Sequence, residues 1–334
     1  MLTPKQNFLE TIKKGGKPDR IVSEYQPFVP VMNDPCGKFT RGNRKKGAVT
    51  RDVWGTAFNW PADQYAGMPH VTADDKVLPD VTTWRETLKI PDIVGNATDG
   101  WEDALEAKAK INTDEKLVLG FMGTGCFEQM HYLMGFEDTL MNMLLEPEAM
   151  DELAAMIGEY RFNYAKLLVD NLKPDIILSH DDWGSKTSLF MSPDDWRRYF
   201  KPYYKKIYGY MKDNGVIVMH HADSFLEPIV EDMVDLGIDV WQGALPSNDI
   251  VKIQKQLDGR MALMGGIDSW VDRADSTEEE IRAEVRRVCE TYGPGGYFIP
   301  SLTYGLSGSI FPHTEPIVID EIAKYNEDVY GIRA

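Results

Sequence analysis

Histidine and aspartate residues that follow two short apolar runs form the clearest candidate site in the sequence. One group comes directly after residues 175–179. The other begins at the last residue of the run 216–220 and continues beyond it. The residues concerned are His180, Asp181, Asp182, His220, His221 and Asp223. Imidazole and carboxylate groups at this spacing can bind a divalent metal ion or serve as general acid and base. Because three of the six histidines of the chain lie here, this clustering is the strongest chemical signal in the sequence.

Only one of the two neighbouring histidines is expected to face such a site. Adjacent positions of a strand point to opposite faces, so one of His220 and His221 should face the site and the other should pack outward. We assign His220 and Asp223 to the site, both as catalytic groups and as the ligands of any bound metal. His180 and Asp182 are expected to lie beside them as further catalytic groups. The alternatives are a structural histidine with satisfied hydrogen bonds and an aspartate that caps a turn.

Other residues at the ends of apolar runs are candidates for contact with a substrate. Gln242 and Tyr304 follow two further runs, and Cys126 follows a third. A reactive thiol at Cys126 is the weaker interpretation, because buried and inert cysteines are common. The stretch 265–268, Gly-Gly-Ile-Asp, can approach a substrate closely or form a turn that needs positive φ. The sequence contains neither of the glycine-rich nucleotide-binding patterns, GxxxxGK[ST] or GxGxxG.

These residues need a scaffold that brings several strand ends together, and the pattern of apolar runs predicts one. Short apolar runs alternate with helical patterns, which is typical of a parallel sheet covered on both faces. The runs are residues 117–121, 175–179, 216–220, 238–242, 261–265 and 297–300. One or two further strands near residues 28–32 would bring the number to eight. We therefore predict a (β/α)8 TIM barrel, in which the chemistry lies at the carboxyl ends of the strands.

The barrel is expected to form one domain over residues 1–334 with an N-terminal elaboration. Residues 33–100 are rich in glycine, proline, asparagine and tryptophan and show little periodicity. This composition predicts loops and short hairpins rather than long helices. We expect the elaboration to lie over the carboxyl-terminal mouth of the barrel.

Composition disfavours several classes of function. The chain has 334 residues with 36 basic and 53 acidic side chains, which gives a formal charge of −17. Nucleic acids and anionic membranes attract basic patches, so neither is an expected partner. The three cysteines are too scattered for a disulfide framework or a CxxC pair. No run of about 18 apolar residues and no apolar segment typical of a signal peptide is present, so we expect a soluble cytoplasmic protein.

Several segments resemble the uroporphyrinogen decarboxylase superfamily in order and spacing, and the likeness covers essentially the whole chain. They are TPKQNFLETIKKGGKPDRIV (3–22), RDVWGTAFNWPADQYAGMP (51–69), SHDDWGSKTSLFMSPDDWRRYFKPYYKKI (179–207), VIVMHHADSF (216–225), GGID (265–268) and GPGGYFIPS (293–301). The aspartate-tryptophan-glycine signatures at 52–55 and 182–184 are typical of the superfamily's methyltransferase branch, as is the helix start at 192–196. The resemblance therefore implies a cobalamin-dependent methyltransferase that feeds methyl groups to a corrinoid protein.

Two departures from the family narrow this expectation. Residues 23–30 contain no arginine, whereas true uroporphyrinogen decarboxylases carry an arginine-rich motif there that binds the propionates of their substrate. The branch that methylates coenzyme M binds zinc through a His-x-Cys pair and a later cysteine. Here Ala222 stands in place of the first cysteine, and Ser301-Leu302 stand where the second is expected. Any bound zinc is therefore expected to be held by nitrogen and oxygen.

What remains resembles the methyltransferase component of anaerobic O-demethylases. It implies that a small methoxylated, usually aromatic, compound gives its methyl group to Co(I) of a corrinoid. The sequence has no Asp-x-His-x-x-Gly cobalamin motif, so the corrinoid is expected on a separate protein. The departing phenolate needs a proton or a Lewis acid, which the histidines and aspartates can provide or hold. Aromatic residues are expected to wall a flat substrate, with core packing as an equal alternative: Trp54, Phe58, Trp60, Trp183 and Tyr304.

Two other functions remain as alternatives. One is a decarboxylase that acts on a smaller or less carboxylated substrate, which the missing arginines disfavour. The other is a non-catalytic corrinoid- or tetrapyrrole-binding protein, which would not need converging histidines and aspartates. The sequence does not determine the oligomeric state and is compatible with a homodimer.

Overall fold

The computed structural model describes residues 1–42, 44–64, 66–304 and 309–333. Its strands are β1 (Phe28–Val31), β2 (Ala48–Arg51), β3 (Ala57–Trp60), β4 (Met68–Pro69), β5 (Leu117–Met122), β6 (Ile176–His180), β7 (Ile217–His221), β8 (Val240–Ala244), β9 (Ala262–Ile267) and β10 (Phe298–Leu302). Its α-helices are α1 (Pro4–Ile12), α2 (Pro35–Arg41), α3 (Trp84–Thr87), α4 (Ile93–Ala97), α5 (Glu102–Ala109), α6 (Cys126–Met134), α7 (Phe136–Leu145), α8 (Pro147–Leu167), α9 (Pro193–Tyr199), α10 (Lys201–Asp213), α11 (Val230–Leu236), α12 (Ile250–Leu257), α13 (Glu278–Tyr292) and α14 (Thr314–Tyr330). None of the helices in these ranges is long and apolar enough to cross a membrane.

Seven strands form one parallel sheet in the order β1-β5-β6-β7-β8-β9-β10. Helices lie between consecutive strands of this sheet, so the sheet curls into an α/β barrel, as the sequence predicts. The six predicted runs beyond residue 115 correspond to β5 through β10. The sheet differs from the predicted eight-stranded barrel in having seven strands within the described ranges. Strands β1 and β10 are its edges, and no strand pairing joins them in these ranges. We call the gap between β1 and β10 the open side of the barrel.

Alternation along the strands separates an inner apolar cluster from an outer one. On β7, Ile217 and Met219 pack into the inner cluster, whereas Val218 packs into the outer cluster beneath the helices. Because successive side chains of a strand point to opposite faces, His221 continues the inner row and His220 continues the outer row.

Helix α1, the first helix of the chain, contributes a side chain to the inner cluster. Its first residue is Pro4, and the Oγ1 atom of Thr3 accepts a hydrogen bond from the Gln6 N–H at 3.2 Å. Threonine followed three residues later by glutamine is a capping box, a pattern that can be recognised from the sequence alone. Phe8 of α1 is fully buried in the inner cluster, so the helix helps to fill the barrel interior.

The described residues of the stretch 33–100 form short hairpins and helices beside the carboxyl ends of the strands. Strands β2, β3 and β4 make a separate antiparallel sheet. The ring of Phe58 on β3 meets Tyr132 of α6 edge-on, with centroids 5.7 Å apart. The Oγ1 atom of Thr56 donates to the backbone oxygen of Tyr132 at 3.2 Å. Because α6 begins at Cys126, shortly after β5 ends, these contacts place the hairpin sheet near the barrel mouth.

Candidate active site

Three side chains at the ends of β6 and β7 converge on one point. His180 is the last residue of β6, Asp182 follows it by two positions, and His221 is the last residue of β7. One ligand atom from each of the three lies within 4.8 Å of the others. The strand register pairs His180 with His221, and their rings stack with centroids 4.3 Å apart. We refer to His180, Asp182 and His221 as the donor cluster.

Each histidine of the donor cluster is oriented through its Nδ1 atom. The Nδ1 of His180 lies 2.9 Å from Oε2 of Glu128, in the first turn of α6. The Nδ1 of His221 forms a hydrogen bond with the amide oxygen of Gln242 on β8. The Gln242 amide nitrogen in turn donates to the backbone oxygen of Thr303 at 3.3 Å. Because Nδ1 is engaged in both rings, Nε2 is the nitrogen that each ring can present to a metal ion or a substrate.

Burial and neighbouring charges set different protonation states within the donor cluster. Burial lowers the pKa of His180, but the adjacent Glu128 carboxylate outweighs burial and raises this pKa overall. Burial, reinforced by the charge of His180, lowers the pKa of His221 to about 4. Burial raises the pKa of Asp182 to about 6, against the opposing effect of His180. Without a metal ion, the cluster therefore combines a protonated imidazole, a neutral imidazole and a carboxyl group whose pKa is raised well above its ordinary value.

His220 lies on the other face of β7, which corrects our sequence-based assignment. Its side chain is fully buried and stacks on Trp183 with centroids 3.9 Å apart. Its Nδ1 lies 2.7 Å from the hydroxyl oxygen of Tyr208 on α10. The reason is the phase of the alternation, because the inward row of β7 ends at His221. One of the two histidines does pack outward as expected, but the placement of His220 in the site, as a co-ligand of Asp223, is wrong.

Asp181 holds the start of α6 rather than facing the donor cluster. Its carboxylate accepts hydrogen bonds from the backbone N–H groups of Phe127 at 3.1 Å and Glu128 at 3.0 Å. The hydroxyl of Tyr204 donates to the same carboxylate at 2.7 Å. Gly125 makes this approach possible, since a Cβ atom there would lie 1.9 Å from the Asp181 Cγ. Asp181 therefore has a structural role, but it is fully buried and caps an earlier helix, whereas the alternative from the sequence was an aspartate that caps a turn.

Asp223 stands next to the donor cluster and positions one of its members. Its backbone N–H donates to Oδ1 of Asp182 at 2.9 Å. Burial, together with the charge of Asp182, raises the pKa of the Asp223 carboxyl to about 6. Asp223 therefore orients Asp182 through the backbone and adds a second carboxyl whose pKa is raised well above its ordinary value.

Three of the residues assigned to a substrate pocket pack in the core. Trp54 is buried against Tyr160 of α8, and Trp183 is buried against His220. Cys126 is fully buried at the start of α6, and burial raises the pKa of its thiol to about 12. These residues have the packing role that was the alternative, and the Cys126 thiol is protonated and inert at neutral pH.

The other assigned residues are engaged with protein groups, and two of them, Phe58 and Gln242, are buried as well. Phe58 lies between Tyr132 and Arg44, whose guanidinium carbon is 3.7 Å from the Phe58 ring centroid. Trp60 donates its indole hydrogen bond to a backbone oxygen of its own loop. Tyr304 donates to an aspartate of a neighbouring loop, and Gln242, as described above, orients a histidine of the donor cluster. Of this group, Phe58 is the aromatic residue that links the elaboration to α6.

Sequence reasoning missed two residues of α6 that flank the donor cluster. Glu128 is the third residue of the helix, and its carboxylate accepts a hydrogen bond from the Gly125 N–H at 2.9 Å. The Gly-x-x-Glu spacing at this helix start is the signal that could have located it. Tyr132 follows four residues later, on the same face of the helix. Burial raises the pKa of Tyr132, and the charge of Glu128 raises it further.

A basic cavity beside the elaboration was also missed. It has a volume of about 490 Å³, and its lining includes Lys38, Arg41, Arg44 and Trp60. The Nε atom of Arg44 is buried and has no hydrogen-bond partner among the residues that the structure describes. Residues 23–30 contain no arginine, but the segment that follows β1 contributes two arginines, Arg41 and Arg44, to this cavity.

The fold and the donor cluster together define an α/β-barrel protein with a polar site at the carboxyl ends of its strands. Residues 66–325 match the family model described as uroporphyrinogen decarboxylase (URO-D), and the chain belongs to this family.

Relatives of known name agree with this assignment. The chain is 25% identical over 244 residues to the uroporphyrinogen decarboxylase of Chlorobaculum parvum and 25% identical over 253 residues to that of Legionella pneumophila. These matches cover 67% and 71% of this chain, but only 65% and 66% of the two relatives. The structure is similar to that of a methyltransferase from Methanosarcina mazei, with a TM-score of 0.67 and 17% identity. That likeness covers 97% of this chain and 99% of the other, and it supports the shared fold.

Proposed function

We propose that this protein takes a methyl group from a methyl ether, usually an aromatic one, and passes it to Co(I) of a corrinoid on a separate protein. The observation that carries the proposal is the donor cluster, which gathers two histidines and an aspartate at one point of the barrel mouth. A leaving phenolate or alkoxide needs such groups at its oxygen atom. The name of the structurally similar protein from Methanosarcina mazei, a methyltransferase, supports the same class of reaction.

The chemistry of the donor cluster fits a zinc ion. Two imidazole nitrogens and one carboxylate oxygen are a typical set of protein ligands for catalytic zinc. Glu128 and Gln242 contact the Nδ1 atoms of the two histidines, as partners of metal-ligating histidines usually do. His180 would release its proton on binding the ion. A zinc ion held by His180, Asp182 and His221 would supply Lewis acidity toward an ether oxygen.

The chain's own residues meet the remaining needs of the reaction. In the absence of a metal ion, His180 is an imidazolium held by Glu128, and its Nε2–H can donate to a departing oxygen. Tyr132, which is partly exposed, provides an aromatic side chain near the same mouth that suits a flat ring, and the buried Phe58 packs behind it. The sequence has no cobalamin motif, so the corrinoid is supplied by a partner protein.

The test is methyl transfer to cobalt. The purified protein is mixed with cob(I)alamin and 2-methoxyphenol, and methylcobalamin is followed by its absorbance while zinc is measured by elemental analysis. We expect methylcobalamin to form from cob(I)alamin only when both the protein and 2-methoxyphenol are present, and zinc to be lost in the His221→Ala variant. A zinc-loaded protein that produces no methylcobalamin from any of a panel of methoxyarenes would refute the proposal, as would cobalamin that copurifies tightly with this chain alone.

A second candidate is decarboxylation of an organic acid with few carboxylates. The basic cavity around Arg44 favours it, because a partly buried guanidinium is suited to bind a carboxylate. The family model that the chain matches is named for a decarboxylase. Release of carbon dioxide from carboxylated aromatic substrates, without cobalamin, would favour this candidate over methyl transfer.

A further inference from the structure

A cavity of about 400 Å³ lies at the open side of the barrel. The segment before β1 contributes Ser23, Glu24 and Tyr25 to its lining, and the inner faces of β1 and β5 contribute Phe28 and Leu119. Ile319 of α14, which is 45% exposed, stands at its outer edge. No residue of the donor cluster lines this cavity, so the proposed methyl transfer does not use it.

The cavity contains a buried carboxyl group for which the described part of the chain provides no cationic partner. Glu24 is only 4% exposed, and its Oε1 accepts a hydrogen bond from the Leu302 N–H at 3.3 Å. Burial raises its pKa to about 8, and the charge of Glu315 on α14 acts in the same direction. Within the described ranges no lysine, arginine or histidine is among the groups that act on Glu24. A buried acid in this situation must be neutralised by a proton or by a bound positive charge.

Two hydroxyl groups of the same cavity point independently to a ligand. The Oγ of Ser23 and the phenolic oxygen of Tyr25 are buried and have no hydrogen-bond partner among the described residues. Ser23 is 4% exposed, so solvent does not readily satisfy it. Buried hydroxyls without partners are uncommon in proteins, and here two of them flank the buried carboxyl. The ring of Phe28, 6.4 Å from the ring of Tyr25, adds an aromatic surface to the polar end.

We propose that this open-side cavity binds an organic cation, with an ammonium group beside Glu24 and an apolar body between Phe28, Leu119 and Ile319. An ammonium group would pair with the carboxylate and donate to the unpartnered hydroxyl oxygens. The aromatic rings favour a cation over a neutral group. An anion would meet two carboxyl groups, and a neutral apolar molecule would leave the buried acid uncompensated.

Benzylamine and benzyl alcohol form a matched pair of probes, because they share the ring and differ in charge. Binding is measured by isothermal titration calorimetry at about pH 7.5, where the amino group of benzylamine is protonated and carries a positive charge. We expect saturable binding of benzylamine that is about tenfold or more tighter than that of benzyl alcohol. The Glu24→Gln variant should bind benzylamine about tenfold or more weakly, because it loses a charge-assisted hydrogen bond. Glu279→Gln, at an exposed position of α13, is the control and should bind as the parent does.

A second pair of variants tests the location without touching the buried acid. Ile319→Trp should block the outer edge of the cavity and abolish binding of benzylamine. Val329→Trp adds the same side chain at an exposed position of the same helix, outside the cavity lining, and should have no effect. If Glu24→Gln fails to fold, as judged by circular dichroism, the Ile319→Trp result decides. Absence of benzylamine binding, equal binding of benzyl alcohol, or parental affinity in Ile319→Trp would each overturn the proposal.

Discussion

The inner and outer faces of β7 hold two neighbouring histidines in contrasting environments. His221, on the inner face, stacks on His180 and keeps one ring nitrogen for the donor cluster. His220, on the outer face, is fully buried between Trp183 and Tyr208, and its Nε2 has no partner among the described residues. One step of strand alternation therefore separates a residue suited to chemistry from a residue suited to packing.

The largest expected effect is on the inner face. His221→Ala removes one of the three donor atoms, so we expect methyl transfer to fall about 100-fold or more, the usual scale for loss of a catalytic acid–base group or ligand. The free energy of unfolding should fall by less than in His220→Ala, because His221 is at the strand end beside the mouth, although its ring is buried and bonds to Gln242. Initial rates of methylcobalamin formation and urea unfolding curves measure the two quantities. Turnover at the parental rate would remove His221 from the site and end the contrast with His220.

The matching substitution on the outer face should act on stability instead. His220→Ala leaves a cavity beneath α10 and removes the His220 Nδ1 partner of the Tyr208 hydroxyl, whose own proton is donated to Ser179 Oγ at 3.1 Å. We expect a loss of about 2–4 kcal/mol in the free energy of unfolding, the range for truncation of a large buried side chain. Turnover per folded molecule should fall far less than in His221→Ala. A stable His220→Ala protein with the greater loss of turnover would reverse our assignment of the two faces.

Much of the fold could be predicted from the sequence because its signals are local. Each apolar run beyond residue 115 became a strand, and helices lie between the strands, as the alternation of runs with helical patterns predicts. Thr3 and Gln6 marked the start of α1 through a capping pattern that needs only four residues. The missing eighth strand is different, since whether β1 pairs with β10 depends on closure of the whole barrel and not on any local pattern.

The position of the donor cluster could be predicted, but its membership could not. The apolar runs locate the carboxyl ends of β6 and β7, and the structure brings His180 and Asp182 together there. Both faces of a parallel barrel strand are apolar, so the run before His220 carries no signal of which residues point inward. Glu128 and Arg44 come from distant parts of the chain, and only the folded structure brings them to the mouth.

The hydrogen bond between Glu128 and His180, the histidine on which His221 stacks, provides the next test of the donor cluster. Glu128→Gln keeps the shape of the side chain but removes the charge that holds His180. We expect zinc affinity to fall about 10- to 100-fold, the usual effect of replacing the hydrogen-bond partner of a metal-ligating histidine. Competition with a chromogenic chelator measures this affinity. Glu137→Gln, at an exposed position of α7, is the matched control and should bind zinc as the parent does. Equal zinc affinity in the two variants would show that His180 does not depend on Glu128.

The smallest expected effect concerns Asp182. Its replacement should raise the free energy of unfolding, whereas replacement of a packing residue lowers it. Burial raises the pKa of Asp182 to about 6, above the value of about 4 for an aspartate in an unfolded chain. The folded state therefore binds this proton more tightly, and the stability that it contributes at low pH is lost as the pH rises from about 4 through about 6. Asp182→Asn keeps an oxygen for the Asp223 N–H but cannot ionise. In metal-free protein it should raise the free energy of unfolding by about 1–2 kcal/mol at pH 7.5, with little change near pH 4.5. Urea unfolding with a chelator at both pH values measures this, while turnover should fall. Should Asp182→Asn destabilise the protein equally at both pH values, Asp182 would belong with His220 among the packing residues, since a group kept for its charge must cost stability where that charge forms.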